Sequence, residues 1–372
     1  MSKLEQLITD LCPDGVEYRA LENCCVILDN KRKPVTKSAR QSGRYPYYGA
    51  NGIQDYVSDY IFDGTYVLVG EDGSVVTKNG TPIVTWATGK IWVNNHAHII
   101  KEIEGVLLKY LFHYIQTINV SNLIHGNIPK LTGKDFKALR IPLPPLPVQA
   151  EIVRILDNFT ELTTELTTEL TARKKQYKYY CSKILSFRDI PDVKWLTLNK
   201  IANVFRGDYI TKKGTLEGSV PVILGGQEPA YYIDKSNHNG KIVVIARSGA
   251  SAGFVSYWDE PIFVTDGFGY EAKTDIVDEK YLYYSLKSIE PELNAMKRGA
   301  GVPHVSGEAI GKIQLPVPCI EEQKRIVAIL DRFDTLCNDI SNGLPAEIEA
   351  RQKQYEYYRD KLLTFPKVEL EV

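Results

Sequence analysis

At 372 residues the chain has room for two ordinary domains or one large α/β domain, and a hydrophobic content of 44% excludes global disorder. The 45 Lys+Arg and 46 Asp+Glu leave a net charge of -1, so a nucleic-acid partner has to be held by local basic patches, not by the field of the whole molecule. No apolar run approaches a membrane span, Met1 to Asp10 lacks a signal-peptide core, and the cysteines (Cys12, Cys24, Cys25, Cys181, Cys319, Cys337) form no C-x-x-C pair; the expectation is a cytoplasmic protein with reduced thiols.

Residues 1 to 140 read as mixed α/β with short strands. Ile61 to Gly70 is a β-rich run bounded by glycine, and Leu107 to Ile118 carries a helical pattern. Basic residues gather in the loops, at Lys31, Arg32, Lys33, Arg40 and Arg44, with Tyr45, Tyr47 and Tyr48 beside the last of them. His96 and His98 alternate as strand neighbours would, which places both imidazoles on one face. With no Cys or carboxylate at ligand spacing, they read as structural or DNA-facing, not as a zinc site.

From Ile141 the character changes. The proline run Ile141-Pro-Leu-Pro-Pro-Leu-Pro147 sets a helix boundary, because proline fits the first helical turn and cannot extend a helix upstream. Beyond it, Val148, Ile152, Ile155, Phe159, Leu162, Leu166, Leu170, Tyr177, Tyr180 and Ile184 form a heptad seam with one four-residue insertion. A helix from Pro147 to Leu185 would be roughly 58 Å long at about 1.5 Å per residue. Within it, Thr160 to Thr171 is three tandem copies of Thr-Glu-Leu-Thr; Glu and Leu are good helix formers, but threonine at half the positions argues against optimisation for helix stability alone.

Residues 188 to 314 return to mixed α/β, with a β-rich run at Gly240 to Ala246 and a helical pattern at Lys280 to Leu286. The basic loop residues here are Arg206, Lys212, Lys213, Arg247, Lys297 and Arg298. Any one such cluster is ordinarily solvated surface. Parallel placement in two halves raises the prospect that lysines neutralise phosphates and arginines read guanine.

Residues 315 to 372 then repeat the helical segment. Ile141-Pro-Leu-Pro…Gln149…Ile152-Val-Arg-Ile-Leu-Asp157 recurs as Leu315-Pro-Val-Pro…Gln323…Ile326-Val-Ala-Ile-Leu-Asp331, and Arg173-Lys-Lys-Gln-Tyr-Lys-Tyr-Tyr180 recurs as Arg351-Gln-Lys-Gln-Tyr-Glu-Tyr-Tyr358. The second seam runs through Ile326, Ile329, Phe333, Leu336, Ile340, Leu344, Ile348, Arg351, Tyr355, Tyr358 and Leu362. Gly343 and Pro345 predict a break into two shorter helices. Two matched copies in one chain favour intramolecular antiparallel pairing over dimerisation, with Ile152, Ile155 and Phe159 expected against Ile326, Ile329 and Phe333. The tyrosines at 177, 179, 180, 355, 357 and 358 exceed what such a seam buries.

Chemistry finds little footing. The single Pro-Pro, at Pro144-Pro145, is flanked by leucines and cannot bind a base amine, and no Gly-x-x-x-x-Gly-Lys-Ser/Thr loop supports ATP hydrolysis. Asp266, Glu271 and Lys273 can be aligned with a metal-dependent nuclease pattern, at a spacing common by chance. A tandem protein-binding scaffold is the other alternative.

The proline-led helix ending in Arg173 to Tyr180, and its partner from Leu315 to Phe365, resemble the specificity subunit of type I restriction-modification systems. The first copy departs from the pattern at Val148-Gln149, where the second has Glu322-Gln323. The resemblance implies an α+β chain with two target-recognition domains (1–140 and 188–314) and two helical regions (141–187 and 315–372) paired as an antiparallel coiled coil. It implies a non-catalytic subunit that reads a split, asymmetric sequence in double-stranded DNA and fixes the gap with its helices. It further implies two methyltransferase subunits docked on the paired helices and restriction subunits in the full complex; Ile152, Ile155, Phe159, Tyr177, Tyr180, Ile326, Ile329, Phe333, Tyr355 and Tyr358 are the residues expected to pair the helices or meet those partners. S-adenosylmethionine, ATP and Mg²⁺ would then belong to those partners, with no cofactor or metal in this chain.

Overall fold

The computed structural model describes residues 2–73, 75–187, 193–224, 228–299, 301–339 and 341–367. The chain divides into two compact units, one of residues 1–166 with 348–372 and one of residues 167–347. Both borders therefore fall inside helices. The proline-led segment forms one uninterrupted helix, Leu146–Ile184, whereas the second copy forms two, Ile320–Asn338 and Leu344–Leu362, as Gly343 and Pro345 predict. Ile340, a member of the expected second seam, lies outside the described residues.

In the first unit a six-stranded sheet orders its strands Val26–Ile27, Ala97–Lys101, Phe62–Gly70, Val84–Val93, Ser42–Gly49, Gly52–Val57. The run read as Ile61 to Gly70 is its central strand, with Tyr66 to Gly70 buried because both faces are covered. The helix Leu108–Ile115 buries Leu108, Tyr110, Leu111, His113 and Ile115. Strand Glu17–Ala20 pairs antiparallel with Arg140–Leu143 and so brings the chain to the foot of the long helix. The C-terminal end is tied in as well: Val16 N donates to Pro366 O at 3.0 Å and the Tyr18 hydroxyl donates to Phe365 O at 2.9 Å. Leu363 and Phe365 are buried in this unit's core.

The second unit repeats the plan with smaller sheets. Four strands order as Ala202–Arg206, Gly267–Ala272, Lys241–Ala246, Val255–Asp259; three more as Tyr232–Ile233, Val220–Ile223, Phe263–Val264. Lys194–Thr197 pairs antiparallel with Gln314–Val317, matching the strand pair of the first unit. Leu185 and Phe187 are buried in this core, the places that Leu363 and Phe365 take in the other.

The duplication extends to buried polar chemistry. In the first unit Gln149 Oε1 accepts from Leu107 N at 3.0 Å, while Nε2 donates to Gly105 O at 3.2 Å and Pro144 O at 2.8 Å. In the second, Gln323 Oε1 accepts from Asp278 N at 2.8 Å, and Nε2 donates to Ile276 O at 3.1 Å and Pro318 O at 2.9 Å. The glutamine clamps are thus identical, while Glu322 only pairs with Arg325 on the surface. Val148 in the first copy therefore leaves the clamp intact. Asp157 and Asp331 repeat likewise: the first takes Lys109 and His113, the second Lys280 and Tyr284.

The seam pairs differently from the expectation. Ile152 is fully buried in the first unit's core and Ile326 in the second's. Phe159 instead stacks on Tyr358 at 5.4 Å, and Phe333 lies against Tyr177 at 6.2 Å and Tyr180 at 5.8 Å. Antiparallel pairing is the reason: it sets the beginning of one copy against the tyrosine-rich end of the other. Ile155 packs on the first core and Ile329 is half-buried. Along the tandem tetrapeptides the threonine hydroxyls turn back onto the helix, Thr160 to Leu156 O at 3.0 Å and Thr163 to Phe159 O at 2.9 Å, which satisfies them without ending it.

Candidate nucleic-acid interface

The five basic residues expected in the first unit divide by environment. Arg32 is turned inward: its guanidinium meets Glu71 at 2.5 Å and Ala97 O at 2.6 Å, with Asp29 at 3.5 Å. It is a structural cation and no part of an exposed surface. Glu71, Asp29 and His98 are, among the described residues, the one cluster of such groups spaced closely enough to hold a metal. Arg32 already occupies it, joined by Lys130 at 3.1 Å from Glu71. The His98 ring is held between Asp29, 2.6 Å from Nδ1, and Leu131 O, 3.0 Å from Nε2. His96 lies just before the strand and bonds Asp72 instead, so the two histidines share no site.

Lys31, Lys33 and Arg44 are exposed. Arg44 lies 5.0 Å over the Tyr45 ring, Tyr45 is 5.1 Å from Tyr60, and Lys90 lies 4.6 Å over Tyr60. The result is a surface ladder of alternating cations and aromatic rings, a form suited to a phosphate backbone with exposed bases or sugars alongside. Lys90 comes from the strand Val84–Val93 and Tyr60 from the loop before Phe62–Gly70, so only the fold sets them beside Arg44. Arg40 has a different setting. It pairs with Asp55 at 3.2 Å, donates to Val35 O and stacks 4.1 Å over Tyr47, lining a cavity of about 180 Å³ with Gln41, Asp59 and Trp92.

In the second unit Arg206 and Arg247 converge. They line two adjoining cavities of about 590 and 430 Å³, the first shared with Asn199, His304 and Ser306, the second with Asp208, Tyr209 and Asp266. His304 belongs here because its backbone pairs with Arg298 and Ser248. Arg298 is exposed at that turn, whereas the Lys297 ammonium is taken by Ala250 O at 2.8 Å. Lys212 lines a separate cavity with Leu216, Tyr231 and Tyr232, and Lys213 is exposed next to it. The nuclease alignment does not survive. Asp266 faces Arg247, Glu271 faces His238 at 3.3 Å, and Lys273 donates to Lys200 O at 3.1 Å, so the three never meet.

On the helical region Tyr179 and Tyr180 form an edge-to-face pair at 5.5 Å, and Tyr357 and Tyr358 a matching pair at 5.3 Å. Tyr179 is 58% exposed and Tyr357 62%, while Tyr355 is buried against His113 at 3.0 Å and Tyr177 is half-buried. Burial pushes the Tyr355 hydroxyl up to about 12 and lowers His113, so Tyr355 donates to a neutral imidazole whose other nitrogen donates to Asp157.

Two stretches, 13–174 and 191–350, match the type I restriction modification DNA specificity domain. The chain belongs to this family. It is 37% identical to a putative type I restriction enzyme specificity subunit of Haemophilus influenzae, over 94% of this chain and 96% of that one. It is 37% identical to the EcoR124I/EcoR124II specificity subunit of Escherichia coli, over 71% and 72%. The fold matches the S subunit of a type I restriction-modification system from M. genitalium with a TM-score of 0.66 at 18% identity, covering 94% of this chain and 96% of that chain. This is a type I specificity subunit, and its duplicated β-rich units are DNA target-recognition domains. Among the described residues no helix is long and apolar enough to cross a membrane.

Proposed function

We propose that this specificity subunit reads a bipartite, asymmetric double-stranded DNA target, one half-site per unit, and that the helix Leu146–Ile184 sets the length of the unread gap. The observation that carries this reading is a frame repeated down to single hydrogen bonds beneath readers that have diverged. Gln149 and Gln323, Asp157 and Asp331, Tyr110 and Tyr281 do the same work in both units. The Arg44–Tyr45–Tyr60–Lys90 ladder and the Arg206–Arg247 pair have no such correspondence. A shared frame under different surfaces is what two different half-sites require.

The matched tyrosine pairs 179/180 and 357/358 are the docking points for two methyltransferase subunits, since exposed tyrosine offers large area with a polar tip. Restriction subunits join the complex thus formed. This chain takes no chemical step: transfer from S-adenosylmethionine to adenine, and ATP- and Mg²⁺-dependent cleavage, belong to those cytoplasmic partners. Mapping methylated adenines in the host genome tests the reading. Two specified stretches around an unspecified gap of fixed length are expected, and a single continuous motif would overturn it.

A further inference from the structure

We propose that in the second unit Arg247 reads a guanine edge while the adjacent Arg206 holds the DNA backbone, and that Asp266 is the positioning residue that separates the two roles. The inference rests on the DNA-reading assignment above and deepens it to named atoms. Strands Ala202–Arg206 and Lys241–Ala246 both pair with Gly267–Ala272, Arg206 opposite Phe268 and Ala246 opposite Gly267. The two arginines therefore emerge at one end of the sheet, on either side of the strand that Asp266 introduces.

Asp266 has φ 48°, the one non-glycine residue with positive φ among the described residues. Aspartate tolerates this left-handed backbone better than most residues, yet glycine adopts it without strain. The side chain is what glycine could not supply. Its carboxylate accepts from the Ser248 hydroxyl and lies 3.6 Å from the Arg247 guanidinium, while its carbonyl accepts from Arg247 N at 3.0 Å. Arg247 is thereby held at both backbone and side chain, with 41% of its side chain still open to the cavities.

A carboxylate at that distance offsets part of the guanidinium's charge and disfavours an approaching phosphate. It leaves the remaining N–H groups aimed. Such a group is a poor clamp for an anion and a good directional donor to the neutral O6 and N7 acceptors of guanine. Arg206 is exposed and makes no ion pair among the described residues, so it keeps its full charge for the backbone. Of the two arginines that share the cavity with Asp208 and Asp266, Arg247 is the one in an ion pair among the described residues.

The test uses the full chain assembled with its methyltransferase partner, and duplexes carrying the mapped target with single-base changes, at several salt concentrations. Arg247→Ala, and Arg247→Lys with its charge retained, should relax one guanine position in one half-site by about 10- to 100-fold. 7-Deazaguanine at that position, which lacks N7 but keeps O6, should impose part of that loss on the unaltered protein and none on Arg247→Ala. Arg206→Ala should weaken all sequences together and reduce the log–log salt slope by about one. Asp266→Asn and Asp266→Gly both keep the turn and remove the charge. Each should lose the same guanine preference while binding random DNA more tightly, with the other half-site read as before. Uniform weakening by Arg247→Ala, or a guanine preference retained in both Asp266 variants, would overturn the assignment. An unaltered complex with no sequence preference would instead overturn the DNA-reading function, and this inference with it.

Discussion

Truncating the buried glutamines tests whether the two units share one frame. Gln149 is 1% exposed and Gln323 fully buried, and each makes three hydrogen bonds to backbone groups, one to an N–H and two to carbonyls. Replacement by alanine strands those groups in the interior. At about 1–3 kcal/mol for each unsatisfied buried group, and allowing for partial entry of water, the loss is about 3–5 kcal/mol in the affected unit. That is a large part of the roughly 5–15 kcal/mol of a typical domain. Tryptophan fluorescence reports the units separately, because Trp86 and Trp92 belong to the first and Trp195 and Trp258 to the second. With Trp195 and Trp258 replaced by phenylalanine, Gln149→Ala should shift the urea midpoint of the remaining signal. With Trp86 and Trp92 replaced, Gln323→Ala should do the same by a similar amount. Gln149→Glu should fare no better than alanine at neutral pH, since its second oxygen would face two carbonyls. A loss under about 1 kcal/mol in either unit, or a several-fold difference between the two, would refute the shared-frame reasoning.

Three further outcomes follow from the same geometry. Replacing Tyr179 and Tyr180 with serine should leave one methyltransferase copy per chain by native mass measurement, as should the Tyr357/Tyr358 replacement; two copies retained in both variants would remove the tyrosine pairs as docking points. Deleting Thr164 to Thr167 shortens the long helix by about 6 Å with a residual turn of about 40°, and should shorten the preferred gap by one or two base pairs while both half-sites stay the same; an unchanged gap optimum in a folded variant would sink the ruler. Burial lowers the pKa of His113, so the folded first unit holds it neutral while the unfolded chain protonates it near its ordinary value of about 6.5. The stability it contributes is then present above that value and lost as pH falls through it. The melting temperature should drop more between pH 7.5 and 5.5 for the native chain than for His113→Gln, and equal drops would exclude the assignment.

The sequence alone determined the duplication, the long helix and the break in its second copy, because these rest on local rules. Heptad spacing, proline at a first turn and a Gly-x-Pro interruption act over a few residues and leave a written pattern. Family membership followed from the same repeated motifs. The roles of the basic residues could not be read that way. Lys31, Arg32 and Lys33 are neighbours in sequence, yet Arg32 is drawn inward by Asp29 and Glu71 and the lysines are not, a choice made by carboxylates that folding brings together. His96 and His98 alternate as a shared-face pair should, but the strand starts at Ala97 and divides them. Seam residues were recognisable as apolar; their partners were not, since the tyrosine ends meet Phe159 and Phe333 only through helix direction. Lys90 and His304 carried no local signal, and Asp266 stood out only in a nuclease alignment whose members fold apart. Their significance comes from strand pairing, which joins residues far apart along the chain and sets charge beside charge, and only the tertiary structure decides that.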